Sequence, residues 1–170
     1  MSSKKAPGAF PPPGTLKARL VNLIPRANVL VYRWSDGRIG GRIEELPVLI
    51  LHTVGRKSGR ARQSPLLHLR DGDDYVVVGS RGGSDAPPAW WLNLQATPAA
   101  TVEIEGVRQP VSARRATAEE KAGLWPRLAA GYPFYDDYQA RTTREIPVIV
   151  LSPSEGRGDE FPARAGSKQT

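Results

Sequence analysis

The chain has 170 residues, no cysteine and two histidines, His52 and His68. That length suits one ordinary domain whose core needs no cross-links. Missing thiols exclude a disulfide scaffold, a cysteine nucleophile, an iron–sulfur cluster and a cysteine-ligated zinc, and two histidines exclude a His-rich metal site, so no metal is expected. The formal charge is +7, and its placement is uneven: residues 1–43 carry eight basic side chains against Asp36 alone, while residues 44–170 hold 16 of each sign.

In chain order, residues 1–14 (MSSKKAPGAFPPPG) are too rich in Pro and Gly to bury a face, and a disordered tail is expected there. No run approaches the ~18 apolar residues of a membrane span, and Pro11–Pro13 interrupt any signal-like helix. A cytoplasmic protein is therefore expected. Leu16, Leu20, Leu23, Ala27, Leu30 and Trp34 recur at steps of three or four, with cations between them. This predicts a basic amphipathic helix within residues 15–43, kinked or split in two at Pro25. Val48–Val54 is an apolar, β-branched run and reads as a buried strand. Residues 55–62 (GRKSGRAR) read as a tight basic turn, Gln63–Leu69 as a second strand and Tyr75–Ser80 as a third after the Asp71-Gly72 turn.

A Gly/Pro loop then leads to a short helix, Ala89–Ala96. Thr101–Glu105 and Val107–Ala113 alternate in polarity around Gly106 and predict a hairpin. Thr117 and Glu120 form the signature of a capping box, opening a helix toward Ala130. Tyr132–Thr142 reads as another helical piece and Pro147–Leu151 as the last strand; residues 154–170 are polar and expected to be disordered. Six strands with singly inserted helices argue against a doubly wound parallel sheet and for a small, mainly antiparallel barrel over residues 44–153.

There is no GxGxxG and no GxxxxGK[ST], so neither a nicotinamide fold nor a P-loop has support. The most informative segment is Gly55–Arg62, with four cations and a hydroxyl in eight residues between two apolar strands. A turn pinned at both ends can hold an anion: its glycines free backbone amides to turn inward, and Arg offers paired donors to phosphate or carboxylate. A solvated turn or a nucleic-acid contact has the same composition. Ser80-Arg81-Gly82-Gly83-Ser84 is a second cationic glycine segment at a strand end, suited to close approach of a flat or anionic ligand. Tyr132, Tyr135 and Tyr138, with Phe134, make an aromatic helix face that either lines a pocket or packs on the barrel.

The segments LPVLILHTVGRKSGRARQSPLLHL, DGDDYVVVGSRGGSDAPPAWWLNLQATPAATVEI and WPRLAAGYPFYDDYQARTTREIPVIVLSP, in that order, resemble the deazaflavin-dependent nitroreductases, a branch of the split-β-barrel flavin and deazaflavin oxidoreductases. The resemblance spans roughly residues 16–153. It implies a six-stranded split barrel, α+β and mainly β, that binds coenzyme F420, an 8-hydroxy-5-deazaflavin with a phosphate and a polyglutamate tail. Carried over residue by residue, Arg56, Lys57, Ser58, Gly59 and Arg60 would hold the anionic portion. Leu51, His52, Leu66 and Leu67 would lie beside the ring or linker, and Val77, Val78, Gly79, Ser80 and Arg81 would border the deazaflavin. Threonine is usual where His52 stands.

The implied activity is hydride transfer from the reduced coenzyme to a quinone or to a nitro-activated or conjugated aromatic compound. Ser80, Tyr132, Tyr135 and Tyr138 would form the acceptor pocket, and no catalytic side chain is required because the cofactor carries the reaction. FMN on the same barrel is the alternative cofactor. A basic nucleic-acid-binding module is a weaker alternative, and no nucleic-acid partner is expected. Because lipophilic quinones reside in membranes, residues 15–43 are expected either to make peripheral contact with the inner face of the cell membrane or to cover the barrel. Oligomeric state is left open.

Overall fold

A computed structural model describes Arg42–Ile43 and residues 46–155. The Pro-rich tail 1–14, nearly all of the basic segment 15–43 and residues 156–170 lie outside the described residues. The described elements are β1 (Arg42–Ile43), β2 (Leu46–Val54), β3 (Ala61–Asp71), β4 (Asp74–Val78), a 3-10 turn (Arg81–Gly83), α1 (Ala89–Ala96), β5 (Ala99–Ile104), β6 (Val107–Arg115), α2 (Ala118–Gly131), α3 (Phe134–Ala140) and β7 (Val148–Pro153).

Six of the strands follow the order β2-β3-β4-β7-β6-β5, and β5 pairs back onto β2, so the sheet closes into a barrel. Every pairing is antiparallel. β1 forms a two-residue pairing with the start of β2. Tight turns join the hairpins: Glu105 and Gly106 both take positive φ, 50° and 80°, the twist that a two-residue loop between Ile104 and Val107 requires.

Alternation along the strands builds two cores. Leu49, Leu51, Tyr75, Val77, Val102, Val111, Ile149 and Leu151 point into the barrel, where Trp90, Trp91 and Leu94 of α1 pack against them. Val76, Val78, Val148 and Val150 point outward and are covered by Leu124 and Leu128 of α2 and by Tyr135 and Tyr138 of α3. β4 and β7 thus bury both faces, which explains why they read as unbroken apolar runs. Each fully buried aliphatic side chain in these layers contributes about 1.5–3 kcal/mol of transfer free energy.

Several boundaries differ from the sequence expectation. Ala61 and Arg62 belong to β3, where they pair with Val54 and Thr53, so the basic turn is shorter than residues 55–62. The third strand ends at Val78, and Gly79 instead donates its N–H to the Pro147 carbonyl at 2.9 Å. The Tyr132–Thr142 helix is only Phe134–Ala140: Tyr132 is the extended C-cap of α2 (φ −146°, ψ 88°) and Pro133 caps α3. The capping box forms as expected, with Thr117 accepting from the Glu120 amide and Glu120 reaching back to the Thr117 amide at 2.8 Å.

The feature that places the site is an interrupted pairing. β3 pairs with β2 from Ala61 to Leu67, but with β4 only from His68 to Asp71. Past Val78 the chain turns away into the 3-10 turn. The edge of β3 over residues 61–67 is thereby left facing an opening in the barrel wall.

Candidate active site

A cleft of about 730 Å³ lies at this opening. β3 supplies Gln63, Ser64, Pro65, Leu66 and Leu67, and Val78, Ser80, Arg81 and Gly82 come from the end of β4 and the turn after it. Pro87, Pro88, Ala89, Trp90 and Leu92 enter with α1, Tyr132, Tyr135 and Tyr138 come from the end of α2 and from α3, and Arg56 joins from the turn after β2. The volume falls in the range of small-molecule sites, roughly 300–1,000 Å³.

Arg56 opens the turn Arg56–Arg60, whose side chains are exposed. Internal bonds hold this turn: Gly55 N–H donates to the Arg60 carbonyl at 2.8 Å, and Gly59 N–H to the Gly55 carbonyl at 2.7 Å. The Ser58 hydroxyl accepts from the Arg62 guanidinium at 3.3 Å. Asn93 anchors the turn to α1. Its side chain is buried, its Oδ1 accepts from the Arg56 N–H at 3.1 Å, and its Nδ2 donates to Thr53 Oγ1 at 3.2 Å. The cations are therefore mounted on fixed backbone, which lowers the ordering cost of gripping an anion.

The opposite wall is equally fixed. Arg81 takes a positive φ of 47° and donates to the Pro87 carbonyl at 3.3 Å. Gly83, at φ 78°, packs so closely on α3 that an added Cβ would stand 2.8 Å from the Tyr138 carbonyl oxygen. Thr142 donates to Asp85 at 2.7 Å.

The tyrosines form one aromatic group. Tyr132 and Tyr135 rings stand edge to face at 5.0 Å, and the Tyr132 and Tyr138 hydroxyls lie 3.2 Å apart. Burial, reinforced by the neighbouring phenols, raises the Tyr135 pKa. Burial and the hydrogen bond shared with Tyr132 raise that of Tyr138. Both phenols stay protonated at neutral pH and keep an O–H to donate.

Of the residues anticipated from sequence, the cleft brings together Arg56, Leu66, Leu67, Val78, Ser80, Arg81, Tyr132, Tyr135 and Tyr138. Lys57, Ser58, Gly59 and Arg60 sit on the exposed turn beside it. Leu51 and Val77 do not line it; both are fully buried in the barrel interior. Gly79 does not line the cleft and lies against Pro147. His52 is on the alternate face of β2, buried, with Nε2 2.8 Å from Glu103 Oε2. Sequence reasoning missed Gln63, Ser64 and Pro65, which carry no motif and enter only because β3 lacks a neighbour there. It also missed the Pro87-Pro88 entry to α1 and Trp90, which packs in the core and borders the cleft as well.

Apolar lining from Leu66, Pro88 and Trp90, a neighbouring cationic turn and phenol donors suit a flat, anionic redox carrier lying against a planar acceptor. A family model described as F420H(2)-dependent quinone reductase matches residues 24–153. The chain belongs to this family. An F420H(2)-dependent quinone reductase of Mycobacterium tuberculosis (strain ATCC 25618 / H37Rv) is 38% identical over 131 residues, covering 75% of this chain and 88% of that protein. A solved F420-H2 dependent reductase is 34% identical, with a TM-score of 0.58, covering 62% of this chain and 94% of that one. A further structure, described as a domain-swapped dimer, is 27% identical with a TM-score of 0.59, covering 79% of this chain and 99% of that one.

The anticipated barrel, coenzyme class and oxidoreductase class therefore stand, with F420 favoured over FMN. Among the described residues no group of His, Asp and Glu could hold a metal, and no helix is long and apolar enough to cross a membrane.

Proposed function

We propose that this chain transfers a hydride from reduced coenzyme F420 to a quinone within the cleft at the opening of the barrel. The observation that carries this reading is that the fixed cationic turn and the tyrosine cluster meet in one cleft, with Arg56 and Tyr138 both in its lining. When bound, the deazaflavin supplies the hydride from its ring.

The protein's residues do the rest. Arg56, with Lys57 and Arg60 beside it, binds the anionic portion through charge-assisted hydrogen bonds. Leu66, Leu67, Val78 and Trp90 exclude water from the reacting faces. Backbone groups on the open edge of β3 and in the Ser80–Gly82 segment offer polar contacts to a ring edge. Between Tyr132 and Tyr138 one O–H donates to the other, which leaves the second free to donate to an acceptor oxygen as negative charge develops there. Holding donor and acceptor in near-attack geometry is the principal rate contribution.

The test is a fluorescence titration of the folded Arg56→Ala/Lys57→Ala variant with F420, followed by oxidation of the reduced coenzyme in the presence of menadione. Lost charge-assisted bonds of about 1.5–3 kcal/mol each predict at least a tenfold weaker coenzyme affinity. Unchanged affinity refutes the anion assignment, and binding of FMN in preference to F420 transfers the cleft to the alternative cofactor. We assign the catalytic domain to residues 44–153 and a peripheral membrane contact to residues 15–43. Removal of residues 1–43 is expected to abolish salt-sensitive pelleting with anionic liposomes while sparing menadione reduction.

A further inference from the structure

Arg144 is not in the cleft lining, and no sequence motif marks it. Yet its guanidinium makes the densest set of contacts to the wall that carries Ser80 and Arg81. Nε donates to the Ser84 carbonyl at 2.8 Å, and Nη2 donates to the carbonyls of Ser80 at 2.8 Å and Gly79 at 3.1 Å. The Arg144 backbone is itself held, its carbonyl accepting from Gln139 at 2.9 Å and its amide donating to Thr142 Oγ1 at 3.3 Å. Gln139 lies in α3, one residue after Tyr138. Arg144 thus links the tyrosine helix, through its backbone carbonyl, to the Gly79–Ser84 loop, through its guanidinium.

We propose that Arg144 is a positioning residue that fixes the Gly79–Ser84 wall against the tyrosine helix and so sets the spacing between hydride donor and acceptor. The proposal rests on the reading above, in which Ser80–Gly82 borders the coenzyme and the tyrosines border the acceptor. Three backbone oxygens converging on one side chain need the planar, forked donor set of a guanidinium; an ammonium is a point charge on a flexible stem and cannot match that fork. The neighbouring charges are Asp85, which favours the cation, and Arg81, which opposes it. Without Arg144 the loop keeps its bonds through Gly79–Pro147 and Thr142–Asp85, so the fold survives while the wall loosens. Misplacement by about 1 Å is worth up to a hundredfold in rate.

The experiment compares wild type, Arg144→Lys, Arg144→Ala and Arg127→Ala. Arg127 is the control because its guanidinium likewise donates to a backbone carbonyl, that of Arg70, and to the Asp71 carboxylate, but is not part of the cleft lining. Hydrogen exchange without coenzyme should show faster exchange in residues 80–85 of both Arg144 variants and not in Arg127→Ala. Single-turnover oxidation of F420H2 by menadione should slow by roughly tenfold to a hundredfold in Arg144→Lys, with coenzyme affinity changed less than the rate. Methylguanidinium should restore part of the Arg144→Ala rate and leave Arg127→Ala unaffected. Unchanged exchange at 80–85, an unchanged rate in Arg144→Lys, or a rate loss matched by the Arg127 control would overturn the proposal. Altered exchange with a wild type that binds no F420 would instead sink the reading of the cleft. If Arg144→Ala fails to fold, Arg144→Lys decides.

Discussion

The contact between Gly83 and α3 offers the sharpest test of how the cleft wall is held. Gly83→Ala imposes two costs. A residue with a Cβ at φ 78° sits in the left-handed region, at about 1–2 kcal/mol. The Cβ would also meet the Tyr138 carbonyl oxygen at 2.8 Å, with Tyr138 Cα and Arg141 Cβ each at 3.1 Å. Two of these atoms are backbone and cannot rotate away, so overpacking adds about 1–3 kcal/mol. Gly72 separates the terms: its φ is 60°, but nothing lies within 4 Å of its added Cβ. Gly72→Ala should therefore lose only about 1–2 kcal/mol and Gly83→Ala about 2–5 kcal/mol. At about 4 °C per kcal/mol, thermal unfolding followed by circular dichroism resolves the difference. Because Gly83 closes the turn that presents Ser80 and Arg81, F420 affinity should also fall in Gly83→Ala and hold in Gly72→Ala. Equal destabilisation of the two variants refutes the close packing of this loop on the tyrosine helix.

Asn93→Ala leaves the Arg56 amide without its acceptor and should lower stability by about 1–3 kcal/mol in urea titration, with weaker F420 binding in the same variant. Gly123→Ala, in an open position of α2, should raise the melting temperature through a gain of about 0.4–1 kcal/mol. His68 is buried, and burial with nearby Arg70 pushes its pKa down to about 4 from 6.5. As pH falls from 6.5 to 4 the unfolded chain takes up a proton the native state refuses, so up to roughly 3 kcal/mol of stability is lost across that window. His68→Gln should flatten urea midpoints measured between pH 7 and 4.5, and an unchanged slope would remove His68 as the cause.

Local chemistry in the sequence was enough to locate the six barrel strands, though not their ends, and the Thr117–Glu120 cap, the Asp71-Gly72 and Gly106 turns and the cationic turn at Arg56, because each depends on neighbours a few residues away. The ordered segments around GRKSG, VVVGS and PAWWLNL were also enough to indicate the redox family. Tertiary structure alone decided which face of each element meets the cleft. Leu51 and Val77 were candidates by position, but strand alternation turns both into the barrel core. Gln63, Ser64 and Pro65 became lining residues only because β4 turns away after Val78 and leaves their strand edge open. Arg144 reaches Gly79, Ser80 and Ser84 across some sixty positions of chain, a juxtaposition that no local pattern encodes and only closure of the barrel creates.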